Sequence, residues 1–194
     1  DYIESHYSLG TSFYESGKLK ETVKCYERVL EFRPNFTEIH NNLGNVLKEL
    51  GRLDDAVLSY KTAISIDPDF VEVYFNLGTT FQELNQLTDA VKHYKKAIEI
   101  KPNYPEAHNN LGVAFKELKD FDSARSAYQM AITIKPDYAE AHNNIGIVFR
   151  ELGQLDDAIK SHEAALSFMP DYAEAHNNLG ILFMEDGKLN NAIE

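Results

Sequence analysis

The sequence has 194 residues, 43% of them hydrophobic, and a formal net charge of −12 from 31 acidic and 19 basic side chains. Lys and Arg that neutralise phosphate supply most nucleic-acid affinity and draw proteins to anionic membranes, so this balance argues against both partners. No apolar run approaches the roughly 18 residues a membrane span needs, nothing resembles a signal peptide, and the single cysteine, Cys25, reads as a small buried hydrophobe, so a cytoplasmic location is expected.

Pro34, Pro68, Pro102, Pro136 and Pro170 follow one another at a fixed step of 34 residues, with Pro105 alone outside the series. A period of this length marks stacked supersecondary units. Counted from Ile3, the repeats are 3–36, 37–70, 71–104, 105–138, 139–172 and an incomplete 173–194, read as one domain over 1–194. Each repeat reads as two helices. In the first, apolar residues recur at helical spacing, as in Ala141, Ile145, Val148, Phe149 and Leu152. Gly17, Gly51, Asn85, Gly153 and Gly187 then stand where a left-handed residue ends a helix. Lys119 occupies that place in the fourth repeat, which predicts a turn that is strained or differently shaped.

The second helix is expected to open at a cap, Asp54, Thr88, Asp122 or Asp156. It continues on one apolar face, Ala158, Ile159, Ala165, Leu166 and Phe168 in the fifth repeat. After the proline, Asn35, Asp69, Asn103, Asp137 and Asp171 are predicted to cap the next first helix, and Pro105 suits a first helical turn. Gly10, Gly44, Gly78, Gly112, Gly146 and Gly180 lie mid-helix, where each costs about 1 kcal/mol relative to Ala. That repeated cost implies a helix packed closely against each. Ala56, Ala90, Ala124, Ala158 and Ala192 read the same way in the second helix, with Thr22 in that place in the first repeat.

The order Leu43-Gly44, Ala56, Tyr60, Ala63, Pro68 returns as Leu77-Gly78, Ala90, Tyr94, Ala97, Pro102 and as Leu111-Gly112, Ala124, Tyr128, Ala131, Pro136. The fifth repeat substitutes Ile145 and His162. This pattern resembles the tetratricopeptide repeat over essentially the whole chain. The resemblance implies an all-α fold, a right-handed superhelical solenoid of helix-turn-helix repeats, whose first helices line a concave ligand-binding surface. Pentatricopeptide RNA binders, with a period one residue longer and a basic surface, fit less well. Adaptors of the family that clamp a C-terminal carboxylate use Lys and Arg where this chain carries Glu, Asn, Tyr or Phe.

The stretch 139–146, Ala-Glu-Ala-His-Asn-Asn-Ile-Gly, returns nearly unchanged at 173–180 and 105–112 and more weakly at 37–44. Positions two, six, nine and thirteen of each first helix share one face. At position six it presents Asn42, Asn76, Asn110, Asn144 and Asn178, with Ser8 in the first repeat. An amide offers an acceptor and two donors, enough to pair with a peptide group without reading its side chain. The asparagines are therefore candidates to hold an extended backbone, or else to brace neighbouring repeats. The preceding Asn41, Asn109, Asn143 and Asn177 are their neighbours in the groove. This ladder resembles that of the nucleocytoplasmic O-linked sugar transferases (the O-GlcNAc transferase and Spindly-like proteins).

Tyr7 and Phe75 replace the first asparagine in repeats one and three, and read either as a side-chain pocket or as packing against the adjacent helix. Val113, Ile147 and Ile181 add apolar surface deeper in the groove. Glu4, Glu38, Glu72, Glu106, Glu140 and Glu174 flank the ladder on one side and Glu15, Glu49, Glu83, Glu117, Glu151 and Glu185 on the other. They read as a solvated rim with local ion pairs, Lys48, Lys116 and Arg150 adjoining the second set, or more sharply as a groove preferring basic or uncharged peptides. His6, His40, His108, His142 and His176 share one repeat position. A shared metal is not expected, because ligands of one ion nearly touch whereas equivalent positions lie a helix-packing distance apart. Phosphate loops, nucleophile motifs and converging carboxylates are not found.

These readings predict a non-catalytic scaffold without cofactors that binds a protein or extended peptide. Two alternatives stand beside it: a substrate-recruiting part of a larger glycosyltransferase or other transferase, and a self-assembling scaffold pairing through Leu179, Leu182 and Phe183 at the incomplete last repeat.

Overall fold

The computed structural model describes residues 2–185. The expected Gly187 turn and Ala192 packing position lie outside them. Among the described residues all regular structure is helical. The chain divides into two compact units, Asp1–Ile100 and Lys101–Glu194. The first holds α1 (Tyr2–Glu15), α2 (Leu19–Phe32), α3 (Thr37–Glu49), α4 (Leu53–Ile66), α5 (Val71–Glu83) and α6 (Leu87–Ile100). The second holds α7 (Pro105–Glu117), α8 (Phe121–Ile134), α9 (Ala139–Glu151), α10 (Leu155–Phe168) and α11 (Ala173–Glu185). Within each unit, the two helices of a repeat pack together and each second helix packs on the next first helix.

The mid-helix glycines are explained by aromatic rings. A Cβ on Gly44 would stand 2.5 Å from the Tyr60 ring, one on Gly78 2.7 Å from Tyr94, and one on Gly112 2.6 Å from Tyr128. Gly146 meets the His162 ring at 2.8 Å in the same way. Ala56, Ala90, Ala124, Ala158 and Thr22 are fully buried at the matching places in the second helices. The absent side chain lets α3 and α4, for example, approach until an aromatic ring lies directly on backbone.

Among the described residues, the turn inside each of repeats one to five is a Schellman motif. In repeat two, Gly51 (φ 73°) donates to the Lys48 carbonyl at 2.9 Å and Arg52 donates to Leu47 at 2.9 Å. Lys119 (φ 61°) makes the same pair of bonds, with Lys119 donating to Lys116 at 2.9 Å and Asp120 donating to Phe115 at 3.0 Å. Its turn is therefore strained but not differently shaped.

The capping expectations are corrected. The cap positions of α4, α8 and α10 fall two residues earlier than expected, so Asp54, Asp122 and Asp156 lie inside the first turn, as does Thr88 in α6. The residue leaving the Schellman turn, such as Arg52 or Gln154, takes the cap position and makes no side-chain cap bond. Asp120 is the exception and accepts from the Ser123 N–H at 3.2 Å. The displaced carboxylates instead face the positive end of the helix dipole. Asn35, Asp69, Asn103 and Asp137 do not cap either; the cap positions belong to Phe36, Phe70, Tyr104 and Tyr138. Asp171 precedes α11 by two residues in the same manner. Pro105 opens α7 as expected.

The repeating histidines hold the joints after each proline. His40 Nε2 bonds the Pro34 carbonyl at 2.7 Å, His108 bonds Pro102 at 3.0 Å, His142 bonds Pro136 at 2.9 Å and His176 bonds Pro170 at 2.8 Å. Tyr74 has the same role through its hydroxyl, which donates to the Pro68 carbonyl at 3.1 Å. His6 bonds the Tyr2 carbonyl at 2.9 Å through Nδ1. The position thus carries a ring whose far end donates to the proline carbonyl in repeats two to six.

Candidate functional site

The site is built from first-helix position six and the residues around it. Asn42 and Asn76 of the first unit and Asn110, Asn144 and Asn178 of the second are all half-buried, so each keeps a solvent-facing edge. Asn41, Asn109 and Asn143, one residue earlier, are buried, while Asn177 is exposed. The buried asparagines brace the half-buried ones. Asn76 donates to Asn41 Oδ1, Asn144 to Asn109 Oδ1 and Asn178 to Asn143 Oδ1, each at 3.0 Å. Each bond links position six of one repeat to position five of the repeat before it. The first asparagines therefore act as brackets and not as a groove surface, with Asn177 the exposed exception.

The brace leaves part of each ladder amide open. Asn76, Asn144 and Asn178 use one N–H on it; by inventory an amide retains a second N–H and its carbonyl oxygen. Asn110 accepts from Asn109 at 3.4 Å. Asn42 differs. Tyr7 stands where its bracket would be, and Asn42 makes no side-chain hydrogen bond among the described residues.

A second set of braces runs beside the first. The Tyr14 hydroxyl donates to the Glu49 carboxylate, and Lys48 lies 3.8 Å from Glu83 and donates to Thr79 at 3.3 Å. In the second unit Arg150 holds Glu185 through both Nε, at 3.1 Å, and Nη2. Position twelve of one repeat thus grips position thirteen of the next. These pairs are the local reading of the outer glutamates; being surface pairs, each contributes little to stability. The Glu49 carboxylate beside Tyr14, with partial burial, pushes that phenol up to about 12, so it remains a neutral donor.

The aromatic substitutions both pack and enclose space. Tyr7 lies 6.3 Å from Tyr26 and 6.2 Å from Phe36 between ring centroids. It also lines a concavity of about 230 Å³ together with Thr11, Tyr14, Tyr26, Asn42 and Asn45. Phe75 is half-buried and tilts against Tyr94 at 5.9 Å, within its own repeat. In the second unit Val113 packs against the buried cluster of Ala124, Tyr128, Ile145 and Val148. Ile147 and Ile181 are half-buried. At the last described helix, Leu182 is buried and Leu179 and Phe183 are half-buried.

The ring of the second helix meets a different first-helix side chain from repeat to repeat. Tyr60 donates to Asn45 Oδ1 at 2.6 Å. The Tyr128 hydroxyl, opposite Val113, is buried without a partner among the described residues. In repeat five the tyrosine is His162, 1% exposed, with Nδ1 3.0 Å from Asn143 Oδ1. Asn143 Oδ1 thus receives two donors, the His162 ring and Asn178. Burial holds the His162 imidazole down, to about 4, with the Arg150 charge adding to the effect. Sequence reading registers His162 as a departure from the repeat but not its bond to Asn143, which depends on side-chain direction between two helices.

Among the described residues no group of His, Cys, Asp or Glu is arranged to hold a metal ion, and no helix is long and apolar enough to cross a membrane. Family profiles described as TPR repeat match residues 10–51, 44–85, 80–119 and 146–187. Profiles described as tetratricopeptide repeat match 105–138 and 127–160. None of the curated proteins matches the chain. Among solved structures, the MamA protein is 26% identical, with 89% of this chain and 94% of that one covered and a TM-score of 0.81. A tetratricopeptide repeat protein from Parabacteroides merdae is 19% identical, with coverage of 99% and 76% and a TM-score of 0.86. YrrB, described as a TPR protein with an unusual peptide-binding site, is 20% identical, with 89% of each chain covered and a TM-score of 0.76.

Proposed function

The chain belongs to the tetratricopeptide repeat family, and from that premise we propose that it is a non-catalytic scaffold that holds an extended peptide against its position-six asparagines. The observation that carries this reading is the half-open state of those amides. Asn76, Asn144 and Asn178 are each fixed by one brace, which removes rotamer freedom before a ligand arrives. What stays open on each, one donor and one acceptor, suits the carbonyl and N–H of a peptide backbone. Asn42, without a brace, offers its whole amide beside the Tyr7 concavity. A peptide-binding site is also described for YrrB, which shares the fold.

A peptide selected from a random display library on the folded protein supplies the ligand for the test. Changing Asn42, Asn110, Asn144 and Asn178 together to Ala is expected to weaken its binding at least tenfold, since each lost hydrogen bond is worth about 1 kcal/mol. Circular dichroism confirms that the variant stays helical, and the single N42A variant, which breaks no brace, is the control for folding. Unchanged affinity in the folded variants removes the ladder from the mechanism. The likeness of the ladder to that of the O-linked sugar transferases favours a second reading, in which the repeats recruit substrates for a transferase. Transferase activity on a bound peptide by the full gene product would distinguish it.

A further inference from the structure

The concavity around Tyr7 differs chemically from the rest of the asparagine-bearing surface. Three phenol rings, Tyr7, Tyr14 and Tyr26, line a space of about 230 Å³. The Tyr7 and Tyr26 rings are inclined by 32° with centroids 6.3 Å apart, and because Tyr26 is buried the accessible aromatic surface comes mainly from Tyr7 and Tyr14. The Tyr14 hydroxyl is turned to another partner and donates to the exposed carboxylate of Glu49. Asn45 is tied to Tyr60 through its oxygen, while the Asn42 amide makes no side-chain hydrogen bond among the described residues. The lining therefore combines aromatic surface and the Asn42 amide with no charged side chain, and the nearest anion is Glu49, bonded to the Tyr14 hydroxyl.

Aromatic faces carry negative quadrupole charge and attract a cation within about 6 Å of the ring centroid. A carboxylate at the rim adds to that attraction, in a chain whose net charge is −12. The aliphatic stem of a lysine or arginine can lie along the rings while its charged head reaches the rim. We infer that this concavity is the receptor for a basic side chain, Lys or Arg, carried by a peptide bound along the first unit. The inference rests on the peptide-binding reading above and adds the side-chain class that this pocket selects.

The test uses four blocked pentapeptides, acetyl-Gly-Gly-Xaa-Gly-Gly-amide, with Xaa as Lys, Arg, norleucine or Glu, titrated into the labelled full chain and followed by NMR. The Lys and Arg peptides are expected to shift the ring signals of Tyr7, Tyr14 and Tyr26 and to bind about tenfold tighter than norleucine. E49Q, an exposed and nearly isosteric change, is expected to remove most of that preference, and Y14F, which releases the Glu49 tether, to reduce it. Added salt is expected to weaken the Lys and Arg peptides but not norleucine. A norleucine peptide that binds these rings as tightly as the Lys peptide would overturn the inference. So would a preference for Lys that E49Q and Y14F both leave intact. Equal shifts at Asn144 and Asn178 from all four peptides, with the tyrosines silent, would overturn it while leaving backbone binding standing. Silence at every site would remove both.

Discussion

In the second and third repeats, in the first unit, the ring that packs on the mid-helix glycine is closed by a polar bond: Tyr60 to Asn45 at 2.6 Å and Tyr94 to Gln82 at 3.0 Å. In the second unit the same slot is filled differently. Tyr128 faces Val113 and its hydroxyl has no partner among the described residues, and His162 bonds the bracket Asn143. The glycine–ring contact is alike in all four repeats, so the difference lies with the first-helix side chains that reach the ring: Asn45 at position nine, Gln82 at position twelve and Asn143 at position five. Where a polar one reaches it, the slot is closed. An apolar one adds greasy surface toward the ladder side and leaves a buried hydroxyl unpaired, a cost of about 1–3 kcal/mol. The second unit thus carries both an unpaired donor and a buried titratable ring where the first unit carries neutral pairs.

The largest break in this comparison is expected from Asn143→Ala. It strips a partner from the buried His162 and from Asn178 at once, and urea unfolding should show a loss of about 3 kcal/mol. Asn41→Ala in the first unit removes the partner of Asn76 alone, and a loss of about 1 kcal/mol is expected.

Acid should separate the units next. His162 is held at about 4 in the folded chain, below its unfolded value of about 6.5. Between these values the unfolded state binds the proton more readily. The contribution is therefore whole above about pH 6.5, falls as pH drops and is lost by about pH 4, with roughly 2 kcal/mol gone at pH 5. His162→Tyr, which restores the ring of the other repeats, is expected to flatten this part of the urea-midpoint profile. An identical slope in the variant would assign the acid sensitivity elsewhere.

A smaller and opposite pair of effects is expected from removing one hydroxyl in each unit. Tyr60→Phe should cost about 1 kcal/mol, because Asn45 loses its donor, whereas Tyr128→Phe should be neutral or stabilising. Equal losses at both sites would mean that Tyr128 has found a partner in solution. The smallest change sharpens the comparison at the turns. Lys119→Gly gives the fourth repeat the residue that Gly51 supplies in the second, and a gain of up to about 1 kcal/mol in urea unfolding is expected.

The repeats, their helices and the glycine–ring contacts are legible in the sequence because a small residue and an aromatic at fixed separation can pack in few ways. The fold follows from that spacing. The caps are not legible to the residue: the Schellman turn decides which side chain leaves the first helix at the cap position, so Asp54 lies inside the first turn. The asparagine braces are half-legible. Helical periodicity correctly sets position six on a partly open face, yet the bond from Asn144 to Asn109 joins residues 35 apart. That offset of one from the repeat length depends on how side chains lean between stacked helices. Val113 was readable as apolar groove surface, but its consequence for Tyr128 required knowing which ring lies opposite.

The bonds from histidine to proline carbonyl have a mechanical meaning. Each closes a short loop around the chain's change of direction, from Pro34 to His40 or from Pro136 to His142, and so stiffens a joint that would otherwise flex about the few residues after the proline. In the second unit the joints after Pro136 and Pro170 stand on either side of the slot at His162. The softening expected at His162 under mild acid therefore falls on a segment between two braced hinges.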